Sequence, residues 1–133
     1  MIRILFISFV ILGLVACDAA KRAAPETLGP YTVWLSHKPD PLKVGYEADF
    51  RLLIHNSSDV GVEGCHAALQ QFMPGMEMSD DRTPLPMHAE DDGVYTAHSR
   101  EFTMGGEWSI DLTIDCGDGQ LSHTYHYTLE WPQ

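Results

Sequence analysis

The chain has 133 residues, with 8 Lys and Arg against 19 Asp and Glu for a formal net charge of −11. That length suits one domain with a single hydrophobic core. The acidic balance leaves no basic patch to neutralise a phosphate backbone, so nucleic acid is excluded as an expected partner.

The first element is an apolar run from Ile4 to Val15 behind Arg3. A helix that spans a bilayer needs roughly 20 apolar residues. This run is shorter, so it predicts a secretory signal. Leu14-Val15-Ala16-Cys17 then resembles the bacterial lipobox, a leucine and two small residues before a cysteine. The resemblance implies cleavage before Cys17 and a diacylglycerol on its thiol, which makes residues 1–16 a lipoprotein signal peptide. Each buried methylene of such a lipid contributes about 0.8 kcal/mol of attachment. The membrane is therefore an expected partner, with the domain lipid-anchored in the bacterial envelope and facing the periplasm. Asp18 matches the enteric sorting pattern that favours the inner membrane. Residues 17–30 are small, polar and proline-bearing, and predict a flexible lipidated tether.

Residues 31–133 form the expected folded domain, and their hydrophobic period is two. Tyr31, Val33 and Leu35 alternate with Thr32, Trp34 and Ser36. Tyr46, Ala48, Phe50, Leu52 and Ile54 form a second inward row. Trp108, Ile110, Leu112, Ile114 and Cys116 form a third, and Tyr125, Tyr127, Leu129 and Trp131 a fourth. Such rows predict half-buried antiparallel strands. Lys38-Pro39-Asp40-Pro41, Asn56-Ser57-Ser58-Asp59, Asp92-Gly93, Gly105-Gly106 and Gly117-Asp118-Gly119 supply the turns. Cys65–Phe72 could be read as helix, but Pro74-Gly75 ends it and its neighbours are strands, so a strand is expected. The fold class is all-β, an immunoglobulin-like antiparallel sandwich of about seven strands.

Of the three cysteines, lipidation would consume Cys17. Cys65 and Cys116 remain as an even pair in an oxidising compartment, which predicts a disulfide between them. It would close a loop of about fifty residues, for which the chain-entropy account gives roughly 4 kcal/mol. Two free thiols acting as metal ligands are the alternative.

Residues 72–88 read FMPGMEMSDDRTPLPMH and hold Met73, Met76, Met78 and Met87, with His88 beside the last. Met104 follows in Phe102-Thr103-Met104-Gly105-Gly106-Glu107-Trp108. Met73-Pro74-Gly75-Met76, Gly93-Val94-Tyr95-Thr96-Ala97 and the Phe102–Ile110 block together resemble the YtkA-like domain, related to the FixH group of bacterial envelope proteins. The resemblance covers about Tyr31 to Trp131 and implies a small envelope β-sandwich. Members often occur in contexts of copper handling or cytochrome oxidase assembly, without an agreed activity. FixH-type members carry a membrane helix, where a lipid anchor is expected in this chain instead.

Thioether sulfur is soft and selects Cu(I). In extended chain Met76 and Met78 point one way and Glu77 the other. Met87, His88 and Met104 are the further candidate ligands for a copper(I) site. Against this stands methionine's ordinary use as a core filler. Met73 continues the strand before its turn and reads as core, and Met104 can pack under Trp108. The remaining histidines, His37, His55, His66, His98, His123 and His126, read mostly as outward and solvated. Ser79-Asp80-Asp81 and Glu90-Asp91-Asp92 lack calcium-loop spacing. No nucleophile elbow, phosphate loop or dinucleotide fingerprint occurs, so no enzyme is expected. The expected function is a lipid-anchored, non-catalytic sandwich with a Met/His Cu(I) site. Its partner would be a copper-handling or oxidase-assembly protein. The alternative is a metal-free protein-interaction module at the membrane surface.

Overall fold

The computed structural model describes residues 23–76 and 82–132. The signal peptide, Cys17, Asp18 and Met78 lie outside the described residues. The strands are β1 (Glu26–Leu28), β2 (Tyr31–Lys38), β3 (Asp49–His55), β4 (His66–Phe72), β5 (Leu85–Pro86), β6 (His88–Ala89), β7 (Val94–His98), β8 (Gly106–Asp115) and β9 (Gln120–Leu129). They form two antiparallel sheets, β1-β2-β3-β7-β6 and β5-β4-β8-β9. The Cys65–Phe72 segment forms strand from His66 to Phe72, with Ala67, Leu69 and Gln71 facing inward and His66 exposed.

Alternation builds the core. Val33 and Leu35 from β2, Phe50, Leu52 and Ile54 from β3, and Ile110, Leu112 and Ile114 from β8 are all buried between the sheets. Tyr95 and Phe102 are among the largest fully buried side chains. Fully burying side chains of this size is worth about 1.5–3 kcal/mol each, which is what holds the two layers together.

The period-two reading runs past the strands at two places. Tyr46 and Trp131 continue inward rows in the sequence, yet they are 61% and 59% exposed. Each lies beyond a strand end, where the backbone turns and no facing sheet remains to cover the ring. A third difference concerns the expected tether. Its last part pairs as β1, Glu26↔Val33 and Leu28↔Tyr31, because Leu28 can be buried against the core. The outward reading of the histidines also fails at His55 and His123, which are half-buried, and at His37. Its ring is half-buried and packs edge-on to Tyr127 at 5.2 Å, with Nδ1 2.9 Å from the Pro39 carbonyl.

Cys65 and Cys116 are bonded, with their Cα atoms 4.1 Å apart. The pair extends the β4–β8 register beyond His66↔Asp115, so the bond links neighbouring strands of one sheet rather than the two layers. It marks one end of the sandwich, the disulfide end. At the opposite end lie the β2–β3 and β7–β8 loops, the start of the β4–β5 loop and the exit of β9. This loop end is tied together by backbone bonds from Gly45 to the Phe102 carbonyl (2.8 Å) and from Phe102 to the Tyr46 carbonyl (3.0 Å). Buried Gln71 grips the same loop. Its amide donates to the Arg100 carbonyl and accepts from the Arg100 N–H, each at 3.1 Å.

Candidate functional site

The methionine-bearing turns meet at the loop end. Met73-Pro74-Gly75-Met76 closes on itself, with the Met76 N–H 3.3 Å from the Met73 carbonyl. Gly75 has φ +81°, a conformation that suits glycine, so the chain can reverse there. Met73 packs partly against the core. Its terminal methyl lies 3.3 Å from where a Cβ on Gly106 would stand. A Cβ on Gly105 would sit 2.6–2.8 Å from the Trp131 ring, so the glycine pair is flanked by Met73 and Trp131. Met104 precedes that pair and is half-buried. Its carbonyl accepts from Trp108 Nε1 at 2.9 Å, and Trp108 meets Phe102 edge-on at 5.1 Å. The Phe102–Trp108 block is thus a folding device that presents Met104 at the rim.

The expected ligands separate in the fold. Met76 is exposed on its turn at the loop end. Met87 is buried in the core, and its N–H bonds the Ala67 carbonyl at 2.8 Å. It is the residue at which the chain leaves one sheet, after β5, and enters the other at β6. His88 is exposed beside Thr96 and lines a depression of about 430 Å³ with Lys38, Asp49, Arg51 and His98. Met87 and His88 therefore face different surroundings. The neighbouring turns bring Met76 and Met104 to one end and add Met73, which the sequence reads as core. Its i, i+3 spacing from Met76 across a Pro-Gly turn was the available signal. Among the described residues, no three or more His, Cys, Asp or Glu are gathered as a metal site.

Other charged and polar groups have local explanations. His98 Nδ1 lies 2.6 Å from Asp49 and Nε2 lies 2.5 Å from Glu47. An imidazole donates at both nitrogens only when protonated, so the hydrogen bond to Asp49, then that to Glu47, raises its pKa. Burial pushes the Tyr125 phenol up to about 12, with the Glu26 charge adding to it. Tyr95 donates its hydroxyl proton to the Val62 carbonyl (2.8 Å) and accepts from the Cys65 N–H (3.1 Å). Gly93, two residues earlier, has φ +76°, and a Cβ there would meet the Ile54 carbonyl oxygen at 2.6 Å. The glycine-x-tyrosine block therefore holds the 56–65 loop and carries no ligand chemistry.

The sequence pattern of the family described as YtkA-like matches residues 26–113. No curated protein sequence matches the chain. The matched span begins at β1 and contains the Met73–Met76 turn, Gly93, Tyr95 and the Phe102–Trp108 block.

Proposed function

The chain belongs to the YtkA-like family, and from that premise we propose a lipid-anchored, non-catalytic envelope protein that binds Cu(I) through methionines at its loop end. One observation carries this reading: the Met73–Met76 turn lies against the Met104–Gly106 turn, with Met76 exposed. Thioethers from two loops at one open rim form a soft donor set suited to Cu(I). They need no deprotonation and survive an oxidising compartment. Met78 follows Met76 in the same loop by sequence and belongs to the proposed set. Met87 does not, since it is buried where the chain passes from one sheet to the other, away from the loop end. His88 is on a different surface. A site at an open rim, with Met76 exposed, would hold copper for exchange with a copper-handling or oxidase-assembly partner rather than lock it away.

X-ray absorption at the copper edge of the Cu(I)-loaded protein tests the donor set. The expected first shell is sulfur. A shell dominated by imidazole nitrogen would contradict it and point to the histidines. A second reading, a metal-free interaction module, is favoured by Tyr46 and Trp131 standing exposed at the same end. That reading predicts no copper retention after desalting.

A further inference from the structure

Two aromatic side chains that the hydrophobic period assigns to the core emerge instead at the loop end. Tyr46 borders a groove of about 510 Å³ formed with Leu42, Val44, Thr128, Glu130 and Pro132. Trp131 lies over Gly105, next to the loop that bonds Gly45 and Tyr46. Met76 adds a third exposed apolar side chain at this end. Tyrosine and tryptophan combine an apolar body with a polar tip, which suits the boundary between headgroups and acyl chains.

Charge is distributed along the same axis. Lys38, Lys43, Arg51, Arg82 and Arg100, all the Lys and Arg among the described residues, lie in the loop-end loops or within three residues of them. The disulfide end carries Asp59, Glu63, Asp91, Asp92, Asp115 and Asp118, with no Lys or Arg among its described residues. The loop end also carries Asp40, Glu47, Asp49, Glu101, Glu107 and Glu130, and the sequence places Glu77, Asp80 and Asp81 between Met76 and Arg82, so its cations are set among a larger number of acids. Anionic lipid would be repelled more by the disulfide end, where no cation offsets the acids, than by the loop end.

The path of the chain agrees. β1 is antiparallel to β2, with Glu26 opposite Val33 and Leu28 opposite Tyr31. The chain therefore enters β1 from the side on which β2 ends, which is the loop end. Lys21 and Arg22 precede it. Nine peptide steps separate Cys17 from Glu26 (26 − 17), at most about 30 Å when extended. Glu26 stands opposite Val33, five residues short of the Lys38 end of β2 (38 − 33), about 17 Å, so a tether of that length reaches the loop end.

We propose that the loop end is a membrane-resting face. Tyr46 and Trp131 enter the interface of the bilayer that holds the lipidated Cys17, and Lys38 and Lys43 lie over lipid phosphates. This rests on the lipid-anchor reading. The test uses the full, lipid-modified chain reconstituted in phosphatidylethanolamine–phosphatidylglycerol vesicles, with and without brominated acyl chains. Bromolipid is expected to quench tryptophan emission, and Trp131→Phe is expected to remove more than half of that quenching. Protein that floats with the vesicles but shows no quenching dependent on Trp131 overturns the resting face while keeping the anchor. Protein that fails to float overturns the anchor and this face together. A photo-crosslinker at Tyr46 in intact cells gives lipid adducts on this account. An adduct to another protein, or to a second copy of the chain, overturns it.

Discussion

At the scale of single residues, the family blocks divide into folding devices and one exposed turn. Tyr95 illustrates the first kind. It is 1% exposed, and its hydroxyl joins the Val62 carbonyl to the Cys65 N–H. Tyr95→Phe leaves that amide without its partner inside the protein, which costs about 1–3 kcal/mol. Urea unfolding would register the change in midpoint at constant slope, and an unchanged midpoint would contradict the role. Met87 gives a second case. Its sequence neighbour His88 suggests a shared ligand set, yet successive strand residues face opposite ways, and here the chain also changes sheets between them. Residue type and spacing were visible in the sequence, but the sheet switch was not, since it depends on pairing between distant strands. His98 supplies a pH prediction. Its pKa is raised in the fold by Asp49 and Glu47. The stabilising effect is therefore complete below the unfolded value of about 6.5 and is lost as pH rises through the higher folded value. NMR titration should place His98 above an ordinary histidine, and Glu47→Gln with Asp49→Asn should bring it back down. No movement in that double variant would refute the assignment.

At the scale of elements, the long strands were legible because one face of each is buried and the period of two is clean. The inward rows of β2, β3, β8 and β9 follow the alternation read from Tyr31 onward, while Leu53 and Ser109, outward by that count, are buried as well. Short strands were not legible. β1, β5 and β6 have two or three residues each, too few for a period, and their pairing is set by the neighbouring sheet edge. The exposed aromatics at positions 46 and 131 show the opposite limit, where alternation continues after the facing sheet has ended. The disulfide was legible from cysteine parity alone. It joins residues 51 apart in the sequence, so in the chain-entropy account its removal frees a loop worth roughly 4 kcal/mol. Cys65→Ser with Cys116→Ser should lower stability by about 2–5 kcal/mol, measured by thermal unfolding. The loop end lies at the opposite pole of the sandwich, so copper affinity of the folded fraction should stay unchanged.

At the scale of the whole molecule, the sandwich has two unlike ends. One is stapled by the disulfide and acidic. The other gathers the methionine turns, the exposed aromatics and the basic side chains, and the chain enters β1 from that side. A domain held by its proposed lipid with the loop end down would place the methionines near the membrane plane, within reach of a membrane-embedded copper partner. The methionine count raises the expectation of a soft donor set, and only the fold separates the rim methionines from the core one. The most direct test is a Cu(I) competition titration of the mature protein. Met76→Leu with Met104→Leu should weaken binding at least tenfold, about 1.4 kcal/mol. Met87→Leu, a volume-conserving core change costing under about 1.5 kcal/mol of stability, should leave affinity unchanged. Equal affinity in the wild type and the Met76/Met104 variant, or a loss confined to Met87→Leu, would contradict the account.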